Sequence, residues 1–282
     1  MDKNNINLFH QSVFAMNTQL DVVFWGHEKQ VYDAAFCCII DEVEQLENTI
    51  SRYRASAELF KLNQTAPMQF VDVSKCLWNA IEMGIQFYKL TNGYFNIALG
   101  KVFHEIKSGN QVQTVLQEPI SKLIALERNG HTICFLHPDV LIDFGGMGKG
   151  MALQKIANII DDFHITNAFI SFGGSSVLTR GRHPHGTYWP FSLADQELGQ
   201  QEWKLNNDSL SVSRTTRQVG QKNEVHIVDP KTRQPVTLKR TAVVQAINPV
   251  HAEVLSTALL ASPPVEHDAL IRNFEVVNHQ IF

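Results

Sequence analysis

Asp143-Phe144-Gly145-Gly146-Met147-Gly148-Lys149-Gly150 lies between a strand-like run, 140–142, and a helix carrying Ala152, Ile156, Ile159 and Ile160. Four glycines and a lysine at such a turn bring backbone amides and a cation to a helix start, where phosphate is favoured. A tight turn without a ligand explains the same composition, and the residues alone leave both readings open. Two phosphate-binding signatures are excluded. A Walker A loop needs Ser or Thr after Gly-Lys, where this chain has Gly150. A dinucleotide fingerprint through Gly146 and Gly148 needs a small residue where Met151 stands.

Working upstream, residues 19–25 form a β-rich run closed by Gly26. From 30 to 50, Val31, Ala34, Ala35, Cys38, Val43 and Leu46 recur at helical spacing, with acidic residues on the other side. Residues 51–63 are expected as a connector. A helix follows from an N-cap at Ser74 to Leu90, where Asn92-Gly93 stops it. The middle, 110–143, holds strand-like runs at 132–136 and 140–142. Downstream, an apolar strand at 168–172 ends at Gly173-Gly174, strands are expected at 225–228 and 242–247, and a helix at 252–261. There is no repeat, low-complexity tract or long linker. Helices and strands mix without a clean βαβ rhythm, which predicts an α+β (mixed α/β) fold rather than a doubly wound sheet.

The 282 residues are 44% hydrophobic and 18% charged, the composition of a globular chain with a sizeable core. A net charge of −4 argues against a nucleic-acid surface. Cys37, Cys38, Cys76 and Cys134 lack zinc-site spacing and are expected as buried free thiols of a reducing compartment. The polar start, Met1 to Asn5, runs into no signal-like apolar stretch, and no apolar run approaches about 18 residues. The expectation is a soluble, cytoplasmic protein without a membrane segment.

Two further stretches carry chemistry. His226-Ile227-Val228-Asp229-Pro230-Lys231-Thr232 places an imidazole and a carboxylate three residues apart at a strand end, as base and orienter or as an ordinary Asp-Pro turn. Glu253 and Thr257, four apart on the late helix, share a face and either can reach one hard cation or are an accident of surface spacing.

In order and spacing these stretches resemble the ApbE-type FAD:protein FMN transferases. The family's Asp-Leu-Gly-Gly-Ile-Ala-Lys-Gly is similar to 143–150, and its next Gly-Gly to Gly173-Gly174. His-Ile-Ile-Asp-Pro-x-Thr-Gly resembles 226–233, and Ala-Asp-Ala-Leu-Ser-Thr-Ala resembles 252–258. Weaker matches are Met16-Asn17-Thr18, Ser51-Arg52-Tyr53, Glu58-Leu59, Leu62-Asn63 and 91–96. The resemblance spans nearly the whole chain and implies one domain over 1–282, with a flavin cleft between two lobes.

It also implies Mg2+-dependent cleavage of FAD and transfer of FMN to a Thr or Ser hydroxyl of an acceptor protein. By position, Gly148, Glu253 and Thr257 would hold the metal, and His226 and Asp229 would activate the hydroxyl and arrange the site. Met16, Thr18, Tyr94, Phe95, Asp143, Gly145, Gly146, Lys149, Gly173 and Gly174 would contact FAD. The chain departs from the pattern at Glu253 (Asp in the family), Asn17 (Gly), Asn96 (Asp), Arg214 (Gly) and Arg233 (Gly). Alternatives to transfer are hydrolysis of FAD to FMN and AMP, and a catalytically silent FAD-binding protein, to which the departures point.

Overall fold

A computed structural model describes residues 7–108, 118–193, 201–219 and 222–282. Seven strands form the main sheet: β1 (Leu8–Ala15), β2 (Thr18–Trp25), β3 (Ala168–Phe172), β4 (Ser176–Arg180), β5 (Ser209–Arg214), β6 (Thr241–Ala246) and β7 (Val276–Ile281). Their order across the sheet is their order along the chain, and every neighbouring pair is antiparallel. This is the α+β arrangement, with helices inserted between strands instead of crossing over parallel ones.

Strand alternation decides what each face covers. Ala242, Val244 and Ala246 of β6 face the main core, whereas Val243 faces a second apolar cluster with Leu210 and Val212 of β5. That second cluster is capped by Trp189 and Trp203, from a small hairpin of Trp189–Ser192 and Glu202–Leu205. The main core is covered by α1 (Lys29–Ile50), α5 (Gly148–Asp162) and α6 (Pro249–Ala261), with α5 packed between the other two. Helix α6 is apolar almost all round and correspondingly buried. Asn248 caps it by accepting from the amides of Val250 and His251, and Pro249 occupies its first turn, so it begins three residues before the expected 252.

The long excursion between β2 and β3 also holds α2 (Glu58–Thr65), α3 (Lys75–Leu90) and α4 (Gly100–Lys107). A three-stranded sheet there is ordered Val71–Asp72, Thr132–Phe135, Ile124–Glu127. Its Ile133 and Phe135 join the same core as Ile170 and Phe172 of the main sheet.

Several expectations are corrected. Residues 51–63 are not all connector: α2 is a short helix whose buried stripe, Leu59 and Leu62, is too brief to show a period. Residues 140–142 make only an isolated bridge from Leu141 to Leu99, and the Asn63 side chain occupies the partner's place by donating to Ile142 O and accepting from Ile142 N. The strand expected at 225–228 ends at Val225, and Val228 makes only a bridge to Pro235. Strands β1 and β7 carry no clear apolar pattern because both are edges with much exposed surface, including Leu8, Phe14 and Val277. On α1 the inward stripe is Tyr32, Ala35, Ile39, Val43, Leu46 and Ile50, which leaves Ala34 exposed. Cys37 and Cys38 are likewise exposed, Cys76 is half-buried and only Cys134 is buried; all four are free thiols. Part of 110–143, and Met1 to Asn5, lie outside the described residues. Among the described residues no helix is long and apolar enough to cross a membrane.

Candidate functional site

The glycine turn is anchored from both sides. Asp143 receives the Gly145 amide on Oδ1 at 2.9 Å and pairs through Oδ2 with Arg52 Nε at 3.0 Å. Its own amide donates to Ile97 O, so the turn is tied to the segment after Phe95. Arg52 stacks over Tyr53 and donates to its hydroxyl, which gives the Ser51-Arg52-Tyr53 stretch a physical role. Neither Arg52 nor Asn63 was assigned a role from sequence. Both sit far along the chain from the turn they hold, so spacing offers no signal.

Around the start of α5 the structure gathers most of the expected site. A Cβ on Gly146 would stand 2.9 Å from the Phe95 ring and 3.3 Å from Thr257 Oγ1. A Cβ on Gly148 would stand 3.5 Å from the Met16 methyl, and one on Gly173 would overlap Thr18 Oγ1. The Met16-Asn17 turn joins β1 to β2 with φ of 50° and 61°, and Gly173-Gly174 joins β3 to β4 with φ of 57° and 66°. Both turns therefore open on the same end of the sheet, beside the first turn of α5. Gly145, Gly173 and Gly174 remain exposed there.

Lys149 turns inward from this rim. Its Nζ donates to Ser175 Oγ at 2.9 Å and Ser176 Oγ at 2.6 Å, and lies 3.3 Å from Glu253 Oε1. Glu253 is 5% exposed; Oε1 also accepts from Ser176 Oγ at 2.5 Å, and Oε2 accepts from the Gly150 amide at 2.7 Å. The closeness of α5 and α6 that allows this depends on Gly150, whose Cβ would meet Pro249 O and Val250 Cα at 2.8 Å. Gly148 is the first residue of α5, so its carbonyl is the acceptor for the helix's own amide four residues on. Sequence reasoning missed Ser175 and Ser176, which lie outside every matched motif.

Asp229 accepts from the Lys231 and Thr232 amides on Oδ1 and from Thr232 Oγ1 on Oδ2, so its carboxylate organises its own turn. His226 is exposed, its amide donating to Thr215 O, and no described hydrogen bond links it to Asp229. The turn does reach the site: Lys231 Nζ lies 3.8 Å over the Tyr94 ring. Thr91 ties the end of α3 to the Phe95 segment, donating to Phe87 O at 2.6 Å and accepting from the Phe95 amide at 3.0 Å.

One perturbed group adjoins the site. His251, two residues before Glu253, sits edge-on to Phe87 and Phe274, and its buried Nδ1 has no hydrogen-bond partner. Burial lowers its pKa below the ordinary 6.5, opposed by the charge of Glu275.

The chain as a whole is similar to known proteins. FAD:protein FMN transferase from Chlamydia muridarum is 26% identical over 211 residues, covering 70% of this chain and 64% of that protein. The protein of that name from Escherichia coli K12 is 22% identical over 254 residues, 83% of this chain and 71% of its own length. Among solved structures, the ApbE protein of Thermotoga maritima superposes with a TM-score of 0.79 at 19% identity, covering 98% of this chain and 94% of that one. The flavin transferase ApbE from Vibrio cholerae gives 0.79 at 17%, covering 98% and 97%. At those identities the likeness establishes the fold. The family model of ApbE matches residues 16–279, from the Met16 turn to β7, and the chain therefore belongs to the ApbE family.

Proposed function

We propose that this protein, working as one domain, transfers FMN from FAD to a Thr or Ser hydroxyl of a cytoplasmic acceptor protein. The observation that carries this reading is the convergence of the Met16 turn, the Gly173-Gly174 turn and Phe95 on the start of α5. A helix start with a lysine beside it favours the pyrophosphate of FAD, and Gly146 and Gly173 leave room where a side chain would collide. The acceptor hydroxyl oxygen bonds to the FMN phosphorus while the bond from that phosphorus to the bridging oxygen breaks. AMP leaves with the electron pair, and the hydroxyl proton passes to the exposed imidazole of His226. Asp229 acts by shaping the turn that carries Lys231 against Tyr94.

The Mg2+ implied by the resemblance would be held by Gly148, Glu253 and Thr257. We read these residues as a poor fit for it, because both Glu253 oxygens are engaged by internal donors. A second reading, a flavin binder that does not transfer, is favoured by the engagement of Asp229 in its own turn.

Mass spectrometry after incubation with FAD and a Thr-bearing acceptor peptide separates these readings. A peptide mass gain equal to FMN supports transfer. FMN and AMP with an unmodified peptide indicate hydrolysis, and bound intact FAD indicates the silent binder.

A further inference from the structure

We infer that the Lys149 ammonium takes the place of a divalent cation at Glu253 in this chain, so that the buried carboxylate is neutralised by a lysine. The inference rests on the flavin-nucleotide reading above and concerns how that site is charged. Three observations lead to it.

First, Lys149 Nζ sits among three oxygens, Ser175 Oγ at 2.9 Å, Ser176 Oγ at 2.6 Å and Glu253 Oε1 at 3.3 Å, which is the hard-oxygen surrounding a cation requires. Second, Glu253 is 5% exposed, and its Oε2 is directed away to the Gly150 amide at 2.7 Å. A divalent ion at this carboxylate would have to displace the ammonium, the Ser176 hydroxyl or the amide. Two positive charges competing for one buried carboxylate repel each other, and whichever leaves must be resolvated. Third, Glu253 stands where the family pattern has Asp. The additional methylene lets one carboxylate reach the Gly150 amide and the Ser176 hydroxyl together. Ser176 completes the arrangement: it is 1% exposed, donates to Glu253 and accepts from Lys149. It is a positioning residue that holds the pair together.

Competition between lysine and metal is directly measurable. Mn2+ titrated into the whole protein without flavin and followed by electron paramagnetic resonance should show no site in the wild type tighter than about 1 mM. Lys149→Met removes the ammonium and leaves the carboxylate buried without a cation, so Mn2+ affinity should rise by about tenfold or more. Wild type binding Mn2+ as tightly as the variant would overturn the inference. Lys149→Met could unfold the site, so a second measurement uses the intact wild type: FAD titrated by flavin fluorescence in Mg2+ and in chelator. The expected affinities agree within about twofold, and tightening of about tenfold or more by Mg2+ would overturn the inference. If FAD fails to bind in either buffer, the functional reading fails, while the Mn2+ comparison still decides the question of the ion pair.

Discussion

Arg52, just beyond the end of α1, holds Asp143 at the entrance to the glycine turn: Nε lies 3.0 Å from Oδ2, and the arginine side chain is 7% exposed. The residues are distant in sequence, and their contact sets the direction from which the chain enters α5. Arg52→Met keeps the apolar stem and leaves the Asp143 carboxylate without its cation. Breaking a fully buried pair costs about 3–5 kcal/mol, but Asp143 is 22% exposed, so about 2 kcal/mol is expected. Thermal unfolding should occur about 5 °C lower, and FAD should bind more weakly because the turn loses its anchor. An unchanged melting temperature would show that the pair holds nothing.

Gly150 and Gly174 make a matched test of close approach. A Cβ at Gly150 would meet two backbone atoms of α6 at 2.8 Å, whereas nothing lies within 4 Å of one at Gly174. Gly150→Ala must separate α5 from α6 and pull the Gly150 amide off Glu253, for a loss of about 2–3 kcal/mol. Gly174→Ala has only its φ of 66° to accommodate, for about 1 kcal/mol. Denaturant midpoints should rank wild type above Gly174→Ala above Gly150→Ala. The reverse order would mean that the helix contact is easily relaxed.

The departures from the family pattern fall into distinct physical cases. Asn17 and Arg233 occupy positions with φ of 61° and 57°, where the pattern's glycine is conformationally favoured. Asn tolerates this region and Arg does not. Arg233→Gly should therefore stabilise the protein by about 0.5–1 kcal/mol, while Asn17→Gly should change stability by only a few tenths. Chemical denaturation of both variants checks this, and equal effects would show that left-handed strain is not what distinguishes them.

Asn96 is a third case, because its Oδ1 accepts from the Ala98 amide at 2.9 Å, as an Asp in that place would. Arg214 has no positive φ, so nothing in the backbone demands a glycine there. The motifs were legible because glycines, caps and turn residues state local backbone requirements. Asn92-Gly93 stopping α3 and Ser74 capping it follow the same logic. What stayed hidden was long-range. Arg52 acts on Asp143, 91 positions away, and Asn63 on Ile142, 79 positions away, and the short stretches that carry them name no partner. Cys38 shows the opposite error: its spacing fits the stripe from Val31 to Leu46, yet Tyr32, Ala35 and Ile39 take the inward places and Cys38 is exposed. The engagement of Glu253 was invisible for a related reason, because it depends on Ser176 from another strand.

His251 should make the protein sensitive to acid through this same helix. Its ring is packed against Phe87 and Phe274, its Nδ1 is unpartnered, and burial lowers its pKa below 6.5. The first turn of α6 adds a field that further disfavours a positive imidazole. Above pH 6.5 the ring is neutral in both folded and unfolded chains, and stability does not depend on it. Below 6.5 the unfolded chain takes up the proton first, so stability falls as pH drops toward the lowered folded value. The charge of exposed Glu275 lessens this effect without reversing it. Comparing wild type with His251→Leu by denaturation between about pH 5 and pH 8 isolates this group from the carboxylates common to both. The wild type should lose stability relative to the variant only on the acid side of that range. A constant difference across the range would mean that His251 is paired or solvated, and that α6 tolerates its charge.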